Sequence, residues 1–264
     1  MYPILFEIGR FPIHTYGVLI ATGFLLSVWV SKKEAMRIGI SPERIVDLGF
    51  WSLLIGMLGS RLLYIITRLS YFAEHPLEIF YVWEGGLVFF GGPLLCFPFF
   101  LWYTKKYNLP RWKVLDICAT AVPLAHAFGR LGCLSAGCCY GKPTGANWGI
   151  RFYSDLVETH LQGVYLYPTQ MLESFLLFLL FLFLRWKRFS KKFDGELLCW
   201  YAILYSLIRS MIEVFRGDTI RGFVIPDILS TSQFISILII LATTVFYFAK
   251  RNQASASLVS KRKK

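Results

Sequence analysis

Two arginines stand where long apolar stretches run out. Arg130 lies within Gly129-Arg130-Leu131-Gly132, and Arg209 has Tyr205 one helical turn before it and Glu213 one turn after. A guanidinium offers a planar fork of donors that matches phosphate oxygens. A charge at membrane depth is costly, so it marks a functional site by default; the plainer alternative is that each arginine snorkels to the headgroup layer. His126 precedes Arg130 by four residues and shares its helical face. It is either an acid or base near neutral pH or a hydrogen-bonded packing residue. Glu213 either joins the site or serves as the counter-ion that orients Arg209. Arg61, after Gly59-Ser60, is a weaker candidate with a structural or accessory role. Gln170 and Glu173, one turn apart after Pro168, either bond a ligand inside the bundle or act as polar glue between helices.

The six cysteines form two groups. Cys96, Cys118 and Cys199 fall inside apolar stretches and read as small hydrophobes. Cys133, Cys138 and Cys139 fall in a Gly-rich loop, 131–167. They read as a disulfide of Cys133 with one of the other two, as buried thiols, or as a reactive thiol or metal ligand, since an adjacent Cys138–Cys139 bridge is strained. No C-x-x-C is present, and His14, His75 and His160 have no partner pattern. No metal or organic cofactor is expected.

The elements that must position these residues are membrane helices. Apolar residues make up 56% of the 264 and aromatic ones 17%, too apolar for a soluble α/β enzyme. Stretches near the ~20 residues that cross the hydrocarbon core recur along the chain. The pattern predicts an all-α integral membrane protein of seven helices, at 15–31, 45–66, 87–103, 114–129, 168–186, 196–214 and 230–248. A folded external loop separates the fourth and fifth, and the whole chain forms one domain without internal repeats or linkers. Double glycines, Gly85-Gly86 and Gly91-Gly92, bracket the start of the third helix and predict a break or close packing there.

The net charge of +12 points to topology rather than to nucleic acid. Most of the 28 basic residues cluster after the first, third, fifth and seventh helices, as in Lys32-Lys33, Lys105-Lys106, Lys191-Lys192 and the tail 250–264. Arg10, Arg68, Lys142, Arg151, Arg216 and Arg221 are the sparse remainder in the other loops. The asymmetry places the N-terminus outside and the tail in the cytoplasm, touching anionic lipid. Chemistry is then expected at the outer leaflet, on a substrate that is lipid at one end. The N-terminus carries no cleavage signal and is expected to stay.

Several ordered motifs resemble the bacterial phosphatidylglycerol–prolipoprotein diacylglyceryl transferase family along nearly the whole chain. They are the opening Met1-Tyr2-Pro3-Ile4-Leu5-Phe6-Glu7-Ile8-Gly9 with Tyr16-Gly17; Gly59-Ser60-Arg61-Leu62-Leu63-Tyr64; Trp83-Glu84-Gly85-Gly86-Leu87 with Gly91-Gly92; and Leu109-Pro110 leading to Asp116. The most specific is Gly129-Arg130-Leu131-Gly132 with Tyr140-Gly141-Lys142-Pro143-Thr144. Pro168-Thr169-Gln170 with Glu173, Tyr205 with Arg209 and Glu213, and Ser232-Gln233 complete the set.

The resemblance implies an enzyme of the bacterial inner membrane that moves the diacylglyceryl group of phosphatidylglycerol onto the lipobox cysteine of a prolipoprotein signal peptide, forming a thioether and releasing glycerol phosphate. Arg130 and Arg209 would hold the phosphate, Tyr205 would accompany the second arginine, and Tyr16 and Gly141 would line the substrate cavity. The chain departs from the commoner family form at Phe90, where that form has a histidine proposed as the base, and at Cys133 and Cys138, where it has an asparagine and an acidic residue. His126, Tyr205 and Glu213 are the substitutes for the base. Two alternatives remain at this point: a paralogue with another acceptor, and a non-catalytic lipid-binding or lipid-flipping protein.

Overall fold

The computed structural model describes residues 4–9, 11–81, 85–154, 156–217, 223–225 and 229–262. Met1-Tyr2-Pro3, Arg10, Trp83-Glu84, Arg221 and Lys263-Lys264, which carried expectations above, lie outside the described residues. The chain opens with an antiparallel hairpin, β1 (Ile4–Ile8) and β2 (Phe11–His14). Helices follow: α1 (Thr15–Arg37), α2 (Pro42–Thr67), the short α3 (Leu69–Glu74), α4 (Gly91–Lys106) and α5 (Arg111–Ala136). Beyond the short pair β3 (Ile150–Arg151) and β4 (Tyr165–Leu166) come α6 (Thr169–Lys187), α7 (Glu196–Phe215), the pair β5 (Phe223–Ile225) and β6 (Leu229–Ser230), and α8 (Thr231–Arg262).

Among the described residues, six helices are long and apolar enough to cross a membrane: α1, α2, α5, α6, α7 and the first 25 residues of α8. Only 6% of the apolar window of α8 is buried, so the rest of that surface needs a lipid solvent. The chain is a multi-pass, predominantly helical membrane protein. Its third long helix, α4, has 16 residues and is shorter than a full span. It starts at Gly91 rather than at 87: Gly85 and Gly86 take positive φ (91° and 74°), and the Val88 N–H donates to the Ser60 carbonyl of α2 at 3.0 Å.

Helix α8 runs on to Arg262, well past its predicted end at 248, and helix α5 also departs from its predicted bounds. It continues through Gly129-Arg130-Leu131-Gly132-Cys133 to Ala136, so Arg130 and Cys133 are helical residues and not part of the loop. Glycine disfavours a helix interior, but packing overrides that cost at Gly132. A Cβ there would lie 3.0 Å from the Tyr16 ring, so the missing side chain admits α1.

Two compact units divide the chain, Ser31–Val114 and Met1–Val30 with Leu115–Lys264. In the first, α2 and α4 cross at glycines: a Cβ on Gly59 would meet the Gly91 carbonyl oxygen at 2.3 Å, and one on Gly91 the Gly59 oxygen at 2.1 Å. This is the small-residue contact that lets membrane helices approach backbone to backbone. Arg61 is buried there and donates to the carbonyls of Ile79, Gly85, Gly86 and Glu78 at 2.6–3.2 Å. Its donors fasten the segment before α4, which gives it the structural role of the two foreseen.

In the second unit, polar side chains tie the apolar helices. Ser27 donates to the Ala121 carbonyl at 3.0 Å and Ser174 to the Ala127 carbonyl at 2.9 Å. Ser230 and Gln233 cap α8 reciprocally, each side chain accepting from the other's N–H at 3.1–3.2 Å. The start of α7 is capped from another helix. Buried Asp116 of α5 accepts from the backbone N–H groups of Gly195, Leu197 and Leu198 at 2.9–3.1 Å and from the Lys191 ammonium at 3.1 Å. Partial burial disfavours the charge on Lys191, but Asp194 and Asp116 overcome it, so its pKa lies above the usual lysine value.

Asp116 thus fixes the helix that carries Arg209. Asp116→Ala leaves three N–H groups without their acceptor and the Lys191 ammonium with Asp194 alone, and a loss of about 3–5 kcal/mol is expected. Thermal unfolding of the detergent-solubilised protein checks this, and an unchanged midpoint would contradict it.

Candidate active site

The predicted residues come from five helices of one unit. Helix α5 supplies His126 and Arg130, α6 supplies Gln170 and Glu173, α7 supplies Tyr205, Arg209 and Glu213, α8 supplies Ser232, and α1 supplies Tyr16. The 3.6-residue period sets His126 and Arg130 on one face of α5. Opposite them, Glu173 is 1% exposed, 3.0 Å from Arg130 Nη2 and 4.0 Å from His126 Nε2. The Glu173 oxygen nearest Arg130 is at ionic distance but lacks the alignment of a hydrogen bond, and Arg130 Nε is buried with no hydrogen-bond partner among the described residues. Arg130 therefore has its charge compensated while its Nε–H donor remains unmatched. A buried donor in that condition calls for a polar ligand.

Arg209 is ion-paired with Glu213 one turn along α7 and donates to Ser232 Oγ at 3.2 Å. Glu213 is thus the counter-ion of Arg209, one of the two roles foreseen for it. Tyr205 lies a turn earlier on the same face, its ring 5.5 Å from that of His126 and stacked on Tyr201 at 5.7 Å. His126 sits within the electrostatic reach of both Arg130 and Arg209. The structure thereby brings the two arginines, the histidine and the tyrosine into one cluster, with one glutamate paired to each arginine.

Gln170 is 1% exposed. Its Nε2 donates to the Cys138 carbonyl at 2.8 Å, and its Oε1 is buried without a hydrogen-bond partner among the described residues. Tyr16 packs on Gly132 beside Arg130 and the three thiols of Cys133, Cys138 and Cys139. Gly141 acts through its backbone. It pairs with Arg216 in an antiparallel bridge and donates to the Tyr167 carbonyl at 3.1 Å, and a Cβ there would lie 2.5 Å from that of Tyr167. It holds the loop between α5 and α6, which folds on its own small core of Tyr140, Phe152, Val157 and Leu166.

Glu173 and Ser232 are the residues that sequence reasoning undervalued. Glu173 appeared only as a polar residue one turn from Gln170, although a carboxylate in an apolar helix needs a cation and Arg130 was available. Nothing in the local sequence pairs Ser232 with Arg209. Phe90 is largely exposed and lies in the other unit.

A family model, that of the prolipoprotein diacylglyceryl transferases, matches residues 3–249. The chain belongs to that family. Among similar family members are the phosphatidylglycerol–prolipoprotein diacylglyceryl transferase of Clostridium tetani, 36% identical over 91% of this chain and 94% of that protein, and transferase 2 of Clostridium perfringens, 35% identical over 92% and 93%. The Enterococcus faecalis transferase is 29% identical over 98% of this chain and 94% of its own length.

The pairing of Arg130 with Glu173 yields a double-mutant test. Either Glu173→Leu or Arg130→Leu alone strands a buried charge and is expected to cost about 3–5 kcal/mol, whereas the double variant recovers part of that loss. Additive losses in thermal unfolding would refute the pairing.

Proposed function

We propose that this chain transfers the diacylglyceryl group of phosphatidylglycerol to the lipobox cysteine of a prolipoprotein, the first step of lipoprotein maturation, and that Arg130 and Arg209 form its phosphate clamp. The observation that carries the clamp is the partly buried guanidinium of Arg130, compensated by Glu173 yet with its buried Nε unmatched. A phosphodiester oxygen satisfies that donor. Phosphate held by two guanidiniums is a better leaving group, because charge developing on its oxygens meets donors already in place. Glu173 and Glu213 orient the arginines and keep the cluster near neutrality before lipid enters.

Gln170 Oε1 is an acceptor suited to a hydroxyl of the headgroup glycerol. Ala127, Leu131, Met171, Phe175 and Phe178 line a groove of about 380 Å³ between α5 and α6, an apolar wall for an acyl chain. The acceptor thiol attacks the glyceryl carbon, the carbon–oxygen bond to phosphate breaks, and glycerol phosphate departs with the electron pair. His126, 4.0 Å from the Glu173 carboxylate and beside Tyr205, is the first choice of base for the thiol proton, followed by Tyr205 and Glu213. Tyr16 and Gly141 shape the cavity mouth.

The protein sits in the bacterial inner membrane with its N-terminus outside and its basic tail in the cytoplasm, and α4 with the residues just before it makes a seventh crossing. The loop 131–167 then covers the site at the outer leaflet.

The test is a detergent-solubilised assay with labelled phosphatidylglycerol and a lipobox peptide, following glycerol phosphate release and peptide lipidation together. The two products are expected in equal amounts. Arg130→Lys and Arg209→Lys keep the charge but lose the fork, and each is expected to lower kcat about 10²–10³-fold. Ordinary turnover in both lysine variants would remove the clamp, and lipid binding without either product would remove the transferase.

A further inference from the structure

Three thiols that the transfer chemistry above leaves unused converge beside Arg130. The Sγ atoms of Cys133, Cys138 and Cys139 all lie within 4.8 Å of one another, and none is in a disulfide. Adjacent side chains normally diverge, so the backbone must work to gather them. The N–H groups of Gly137 and Cys138 both donate to the Cys133 carbonyl, at 2.9 and 3.1 Å, which folds the chain back over the end of α5. Cys139 then takes φ +62°, a left-handed conformation that non-glycine residues rarely adopt and that persists where the surroundings impose it. Thr169 and Gln170, the first residues of α6, hold the carbonyls of Cys139 and Cys138 at 3.0 and 2.8 Å. A strained residue pinned from a second helix is what aligns the third sulfur with the other two.

We propose that Cys133, Cys138 and Cys139 bind one zinc ion as thiolates, and that its fourth position takes the acceptor thiol. The second half rests on the transferase reading above. Zinc–sulfur bonds of about 2.3 Å in a tetrahedron set sulfurs about 3.8 Å apart, so the cluster needs to close by no more than about 1 Å. Soft thiolates select zinc over the hard cations. Among the described residues the group supplies three ligands, and a three-ligand zinc keeps a position open for water or substrate. Three thiolates and the ion leave one negative charge, which Arg130 and Arg216 offset at Cys139.

The site stands where the reaction needs it. Cys133 lies three residues beyond Arg130 on the same face of α5, so a thiol on the metal is delivered beside the phosphate that Arg130 holds. Coordination removes the thiol proton to solvent. A sulfur lone pair of the bound thiolate forms the bond to the glyceryl carbon, the carbon–oxygen bond to phosphate breaks, and its electrons leave on glycerol phosphate. Zinc does not change oxidation state. The neutral thioether lacks the charge that held the thiolate and departs. This moves activation of the acceptor from a protein base to the metal, in a chain whose position 90 is phenylalanine.

The full-length protein in detergent, reduced, metal-free and without phospholipid, is titrated with zinc and with cobalt(II) as a visible stand-in. One equivalent is expected to bind, with thiolate-to-metal charge-transfer absorption, and zinc is expected to shield Cys133, Cys138 and Cys139 from alkylation in the wild-type chain, a readout that needs no variant to fold. Cys139→Ser is expected to abolish stoichiometric binding. A lipobox peptide is expected to change the cobalt spectrum, and its Cys→Ser analogue is not. With zinc bound, turnover near pH 7 is expected roughly tenfold above the metal-free rate and flat to about pH 8.5, where the metal-free rate climbs as the free thiol ionises. Absence of stoichiometric binding, or a spectrum indifferent to the peptide thiol, overturns the proposal. Full turnover with a chelator present overturns it while leaving the transferase intact, whereas metal and peptide binding without any turnover sinks the transferase reading instead.

Discussion

A guanidinium inside an apolar bundle is the constraint on which the rest depends. Removing such a charge from water costs several kcal/mol unless an opposite charge comes with it, and Arg130 brings Glu173 of α6 into the interior with it. The pair then dictates much around it. Helix α6 must start with polar residues at the depth of the end of α5, which places Gln170 and Thr169 against the carbonyls of Cys138 and Cys139. Helix α7 solves the same problem within itself, since Arg209 and Glu213 are one turn apart. One pair therefore ties two helices together and the other leaves its helix free to be fixed elsewhere, by Asp116 at one end and by Ser232 along its side.

The contrast between the two pairs has an energetic side. A local pair forms as soon as its helix does, while the pair between α5 and α6 closes a loop of 43 residues and needs both helices in register. The folded loop core of Tyr140, Phe152, Val157 and Leu166 assists by shortening the effective connection. Charge compensation in the membrane and loop structure outside its helices are in this sense one problem.

Much of this was legible in the sequence wherever the controlling physics was local. Apolar length placed α6 and α7 to within a residue, while α1, α5 and α8 run past their predicted ends, and the turn spacing of Tyr205, Arg209 and Glu213 foretold their shared face. The Ser230–Gln233 cap is also a local pattern, although it drew notice only through the resemblance of Ser232-Gln233 to the family. Where tertiary contacts decide, the reading went astray. The predicted helix stops at 129, where the apolar stretch runs out, yet the Tyr16 ring packs into the gap at Gly132 and the helix runs on to Ala136. The Asp116 cap spans about eighty residues of sequence, and no local rule reveals it. The cysteines showed only their spacing, because their convergence depends on one left-handed residue and on two side chains from α6. Family membership came through strongly all the same, since it rests on many short motifs in order rather than on any contact.

The loop between α5 and α6 is stitched to its neighbours at both edges. Gly141 and Lys142 bond to Tyr167 at the start of α6, Lys142 also to Phe215 at the end of α7, and Gly141 bridges to Arg216. A loop fastened on two sides cannot shift without pulling on the very helix that carries Arg209.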